Sequence, residues 1–248
     1  MSLRALLFRR PPDPQLIEIA FDGAVYPVEL RRHAQARRYT LRVRTASRTV
    51  VLTMPMRGSV KEAKAFAERS GAWIAARLKR LPQAIPFADG LELPLRGVTH
   101  RITHRAGARG TVWIEAGDAP LICVAGDGAH LARRVRDFLK REAKRDLDTA
   151  SRRYAVLLGV TLKRVAIRDQ TSRWGSCTAA GVLSYSWRLI LAPPHVLDYL
   201  AAHEVAHLVE MNHSRAFWRV VAGICPDWQR AKGWLDANGN ALHRYGGN

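Results

Sequence analysis

His195-Val-Leu-Asp-Tyr-Leu-Ala-Ala-His-Glu-Val-Ala-His-Leu-Val-Glu-Met211, preceded by Pro193-Pro194, is the stretch from which the rest of the chain is best read. Proline suits a first helical position, because the amide it lacks has no intrahelical partner there. No breaker follows, so one helix is expected from 195 to 211. Inside it lies His203-Glu204-Val205-Ala206-His207, an H-E-x-x-H sequence. Residues four apart share a helix face, so both imidazoles can reach one ion without bending the backbone. Glu204 points about 100° away from His203, which holds it back from direct ligation and beside a metal-bound water. Zinc on two or three imidazoles, with a position left open, lowers the pKa of such a water toward neutrality. Glu204 can then take the proton as the water attacks a carbonyl and pass it to a leaving amine.

Two histidines rarely complete a catalytic zinc site. His213 is the best third ligand: Asn212 can take the left-handed conformation that ends a helix, and Ser214 can cap the next one. A sharp turn there swings His213 back over the face of His203 and His207. Glu210, three residues after His207 on the same face, is the rival. Three consecutive ligands along one straight helix suit tetrahedral closure poorly. Leu197, Leu200, Ala201 and Leu208 supply an apolar backing for the helix.

Upstream, Val165–Arg168 reads as a short strand and Gly181–Leu191 as a hairpin-like pair. Between them lies the polar-aromatic run Arg173-Trp174-Gly175-Ser176-Cys177. Arg173 is a candidate to bind a peptide carbonyl or stabilise an oxyanion, and Tyr185 to donate to a tetrahedral intermediate. Cys177 has no C-x-x-C partner and reads as a small buried residue. Trp174, Phe217, Trp218, Trp228 and Trp234 read as packing residues. His33, His100, His104, His130, His195 and His243 have no ligand spacing.

The earlier chain is strand-rich. Leu16–Phe21 and Ala24–Leu30 flank Asp22-Gly23, a favoured hairpin turn. Strands are also expected at Tyr39–Thr45, Thr49–Met54, Leu91–Leu95, Val98–His104, Thr111–Ile114 and Leu121–Val124. A helix capped by Ser59 is expected to run to about Leu81, and a long one from 130 to 158. These readings divide the chain at 128/129: a basic, strand-rich region with one helix over 1–128, and the chemistry-bearing half over 129–248. No internal repeat or low-complexity linker is legible.

The 248 residues carry 40 Lys and Arg against 21 Asp and Glu, a formal charge of +19, with 48% hydrophobic residues. That balance is one of a folded protein and excludes global disorder. No run approaches the roughly 20 apolar residues of a membrane span, and Leu6-Leu7-Phe8 is too short for a signal-peptide core. Three distant cysteines fit a reducing cytoplasm better than a disulfide framework. The basic excess is mainly N-terminal: residues 1–112 hold 21 basic and 8 acidic residues. Such a strip can neutralise phosphates, which makes DNA a candidate partner. Since 33 of the 40 basic residues are arginine, an arginine-favouring genome is the plainer reading.

The chain resembles the YgjP-like or SprT-like zinc metallopeptidases, a family of metal-dependent hydrolases. The resemblance rests on Arg168-Asp169-Gln170-Thr171-Ser172-Arg173-Trp174-Gly175-Ser176-Cys177, on Trp187-Arg188-Leu189-Ile190-Leu191-Ala192-Pro193, and on His203–His207 with Asn212-His213-Ser214 and Ala216-Phe217-Trp218. Arg37-Arg38-Tyr39-Thr40-Leu41-Arg42-Val43 and Trp73-Ile74 fit more loosely. Val205 replaces the family's usual Leu, and Ser186 its usual Asn.

The resemblance implies an α+β chain, its strand-rich N-terminal half packed on a minimal gluzincin-like protease core. It implies zinc on His203, His207 and His213, Glu204 as catalytic base, and a protein or peptide substrate. Some relatives act on proteins bound to DNA. Two alternatives stand beside it: a basic nucleic-acid-binding protein with a zinc site, and a zinc hydrolase of a non-peptide substrate.

Overall fold

The structure is a computed structural model that describes residues 14–44, 48–80, 83–170 and 173–246. Leu6–Phe8, Thr45, Leu81 and Thr171-Ser172 lie outside the described residues. It is a mixed α+β fold, rich in sheet in its N-terminal half and in helix toward its C-terminus. The chain divides into two compact units, Met1–Pro82 and Gln83–Asn248. The division expected at 128/129 falls inside the second of these.

The first unit contains β1 (Leu16–Phe21), β2 (Ala24–His33), β3 (Thr40–Arg44), β4 (Thr49–Pro55), α1 (Val60–Arg69) and α2 (Gly71–Lys79). The strand order is β1-β2-β4-β3, with β2 and β4 parallel and the other pairs antiparallel. Asp22 and Gly23 take φ of 51° and 72°, as a two-residue hairpin turn requires. Alternation sends Ile17, Ile19, Val28, Val50, Leu52 and Met54 to one face, where they pack with Ala63, Ala67 and Ile74 of the helices. The single helix expected over 59–81 is broken at Ser70. The hydroxyl of Ser70 donates back to the Phe66 carbonyl (2.9 Å). The second helix then opens on Gly71, where a Cβ would lie 2.7 Å from the Phe21 ring. Only glycine lets the chain pass that close.

The second unit begins with β5 (Glu92–Leu95), β6 (Val98–Arg105), β7 (Val112–Glu115) and β8 (Leu121–Ala125), followed by α3 (Leu131–Leu158). Their order, β5-β6-β8-β7 with β6 and β8 parallel, repeats the order of the first sheet. The turn Arg96-Gly97, with φ of 52° and 76°, repeats Asp22-Gly23. This topological repeat is not legible in the sequence, because alternating polar and apolar residues specify faces and not strand order.

Next come β9 (Arg164–Arg168), β10 (Gly175–Cys177) and β11 (Val182–Ser186), in the order β10-β11-β9. The hairpin-like pair expected over 181–191 is therefore one strand followed by a 3-10 turn, Trp187–Leu191. β11 instead pairs antiparallel with β10 and parallel with β9. α4 (Pro194–Ala206), α5 (Arg215–Ile224) and α6 (Trp228–Leu242) complete the chain. α4 packs on α3, α5, α6 and β10, and its Val196, Ala201, Ala202, Val205 and Ala206 are fully buried. A helix buried on nearly every side is a rigid carrier for side chains at its C-terminal end. Among the described residues no helix is long and apolar enough to cross a membrane.

Candidate metal centre

The helix carrying the H-E-x-x-H sequence is shorter than expected. It ends at Ala206 with His207 as its C-cap. The chain then turns through amide bonds from Leu208 to the Val205 carbonyl (2.9 Å) and from Val209 and Glu210 to that of Ala206 (both 3.0 Å). Asn212 does not take the left-handed conformation anticipated for it: the positive-φ residues other than glycine, among those described, are Asp22, Arg48 and Arg96. Ser214 does cap the next helix, its hydroxyl accepting from the Phe217 amide (3.3 Å).

This tight turn brings His213 back to His203. Their Nε2 atoms stand 3.0 Å apart, near the ~3.3 Å edge of a tetrahedron whose arms are ~2.0–2.1 Å long. One ring nitrogen from each of His203, His207 and His213 lies within 4.8 Å of the other two. Glu210 offers no ligand to this group; instead its carbonyl meets Nδ1 of His207 at 3.1 Å. In the tautomer with hydrogen on Nδ1, His207 donates to that carbonyl and keeps the Nε2 lone pair for a metal. Tyr199 stands in the same relation to His203, its hydroxyl 3.4 Å from Nδ1. Phe217 stacks on His207 (4.5 Å between centroids) and Trp218 on His213 (5.9 Å), with Trp228 behind Trp218 (4.4 Å). The aromatic residues read as plain core thus fix the orientation of the imidazoles.

The electrostatics suit a cation. Burial, with the neighbouring His207 and His213, holds His203 down to about 3, and burial lowers His207 as well. Both rings are neutral near pH 7, the form in which imidazole ligates. A set of three imidazole nitrogens without thiolate leaves a position open and fits zinc.

Glu204 is only 4% exposed. Burial pushes its pKa up to about 8, and Arg173 pulls the other way. The carboxyl lies against Gly175, where a Cβ would be 2.7 Å from Glu204 Cγ and Cδ. Strand β10 can therefore approach α4 only because residue 175 has no side chain.

These groups line a cleft of about 480 Å³ that also includes Arg173, Trp174, Cys177, Tyr199 and Met211. Arg173 is exposed and faces this cleft. Trp174 stacks on His243 (4.7 Å) and fills the space above Gly239. Cys177 is half-buried in the cleft wall, with its thiol pushed up to about 11 by burial. Tyr185 is not in the cleft. Alternation along β11 turns it toward the core, where it is fully buried and its hydroxyl is 3.0 Å from that of Ser151 on α3.

A second cavity of about 550 Å³ opens at the N-terminal end of α4. Its residue Arg96 is held by Asp146 (2.7 and 2.9 Å) and Glu142 (2.8 Å), and Arg153 pairs with Asp198. Charge there is balanced, and the metal-ligating cluster found among the described residues lies elsewhere, at His203, His207 and His213.

The sequence pattern of a YgjP-like metallopeptidase domain matches residues 37–238. Among solved structures, the chain is similar to the metallopeptidase zymogen abylysin of Pyrococcus abyssi. The match has 24% identity and a TM-score of 0.35, over 40% of this chain and 97% of that one. No curated protein matches.

Proposed function

The chain belongs to the YgjP-like metallopeptidase family, and from that premise we propose that it is a zinc-dependent peptidase with the metal on His203, His207 and His213 and with Glu204 as general base. The observation that carries this reading is the convergence of three histidine ring nitrogens beside a buried carboxyl in one cleft. Zinc, when bound, supplies positive charge that brings the pKa of a water toward neutrality and polarises a carbonyl. Glu204 takes a proton from the attacking water on its carboxylate and delivers it to the nitrogen of the leaving amine. A carboxyl whose proton affinity has been raised toward neutrality serves both steps. Arg173, at the rim, donates to the carbonyl oxygen as charge develops on it.

The cleft also suits an extended peptide. The Ser186 amide bonds to the Trp174 carbonyl and the Thr178 amide to that of Val182 (2.9 and 3.1 Å). By antiparallel alternation, the backbone groups of Gly175 and Cys177 point away from β11. Among the described residues β10 is an edge strand, so those groups can pair with a substrate strand laid beside Glu204. A substrate associated with nucleic acid is the finer reading, and it rests on the arginine-rich N-terminal unit alone.

Metal content and casein cleavage of wild type and Glu204→Gln test the assignment. Glu204→Gln is expected to keep stoichiometric zinc and lose about 10²–10⁴-fold in turnover. Equal turnover by the two proteins would remove Glu204 from the mechanism. A wild-type chain that holds no stoichiometric metal under reducing, chelator-free conditions would remove the centre itself.

A further inference from the structure

Leu30 to Lys61 contains nine Arg and Lys residues, one histidine and no Asp or Glu. The first unit gathers part of this run at one place. β2 and β4 run parallel with His33 opposite Pro55, and β3 runs antiparallel to β4 with Thr40 opposite Thr53. The ends of β2 and β4 and the start of β3 therefore lie at one end of the sheet. The loops over 34–39 and 56–59 emerge there side by side.

Two side chains tie those loops together. The Arg32 guanidinium donates to the carbonyls of Pro55, Met56 and Gly58 (3.0, 2.7 and 2.9 Å). The Tyr39 hydroxyl accepts from the Ser59 amide (3.0 Å) and donates to Glu62 (2.7 Å). The rim so fixed exposes Arg37, Arg38 and Arg57. Next to it, on the face away from α1 and α2, Arg31 and Arg42 are exposed beside Thr40 and Thr53. None of these five arginines has a carboxylate partner among the described residues.

We propose that this rim and the adjoining sheet face dock the phosphodiester backbone of nucleic acid, independently of base sequence. Guanidinium forks match phosphate oxygens two at a time, and threonine hydroxyls add neutral donors. Tyr39, the aromatic residue at the rim, is half-buried and turned toward Phe66 (6.1 Å), so no platform is offered for stacking bases. Met56 is the exposed apolar side chain at the rim, too little to anchor a lipid surface. The proposal does not depend on the metal centre, and binding alone tests it.

The experiment is fluorescence anisotropy of the full chain with a short, labelled, mixed-sequence DNA duplex, between about 50 and 200 mM salt. Arg37→Glu/Arg38→Glu/Arg57→Glu is compared with Arg133→Glu/Arg141→Glu/Arg230→Glu, an equal charge change at exposed positions of the second unit. The rim triple is expected to weaken binding at least about tenfold more than the control and to reduce the salt slope by about 3, roughly 0.9 per phosphate lost. Arg37→Lys/Arg38→Lys/Arg57→Lys, which keeps the charge, is expected to retain most of the affinity. Equal losses in the two Glu triples would overturn the proposal, since net charge alone would then explain binding. So would absence of duplex binding by wild type, or binding to phosphatidylserine vesicles without binding to the duplex.

Discussion

Glu204 and His203 are adjacent and buried, and burial moves their pKa values in opposite directions for one reason: it disfavours the charged form of each. The helical period alone makes the pair of histidines and the intervening carboxyl legible, because positions four apart share a face in any helix. Gly175 and Tyr199 show two kinds of omission. Tyr199 lies four residues before His203, so the same spacing argument reaches it; Tyr199→Phe is expected to lower zinc affinity by roughly 10-fold in a chelator competition. Gly175 touches Glu204 only through the fold, and local pattern carries no signal for such an approach. Gly175→Ala is expected to cost about 1–3 kcal/mol in thermal melting. It should leave zinc content intact while turnover falls at least about 10²-fold, because the carboxyl is displaced.

The elements around the cleft are set by their ends. α4 stops at Ala206, and α5 starts at the Ser214 cap, so His213 occupies a taut connection between two fixed termini. Ser214→Ala is expected to cost about 1 kcal/mol by chemical denaturation and to weaken metal binding in parallel. α6 holds the opposite wall through Trp174, which lies over Gly239 and stacks on His243. Burial and then the nearby Arg188 hold His243 down to about 4, with Asp169 opposing. Its folded value lies below its unfolded one, so its contribution is complete above about pH 6.5 and is lost as pH falls through 4. The melting-temperature advantage of wild type over His243→Phe should therefore shrink between pH 7 and 4, by an amount equivalent to roughly 2–3 kcal/mol. A constant difference would show that His243 does not titrate there.

At the scale of the whole molecule, the three histidines and the aromatic residues that pack on them belong to the second compact unit, Gln83–Asn248. Zinc at about a thousand times its Kd should stabilise that unit by about 4 kcal/mol. In calorimetry of the full chain, chelation should lower the transition of the unit that carries the histidines, and zinc should restore it. The proposed docking of nucleic acid, by contrast, involves the first unit and is expected to survive chelation.

The H-E-x-x-H face, the Ser214 cap and the strand-rich start are legible without the fold, because each follows from a short period or a local hydrogen bond. The preference for His213 over Glu210 was also legible, from the need to leave the helix axis. The tertiary structure decided where α4 stops, that Tyr185 faces the core, that β10 and not a hairpin partner borders the cleft, and that one strand order occurs twice. It also decided that Arg31, Arg37, Arg38, Arg42 and Arg57, scattered in sequence, gather toward one end of a sheet. Each of these depends on which distant strands pair and which helix lies against which strand, and those choices are made by burial of a shared core, not by any window of neighbouring residues.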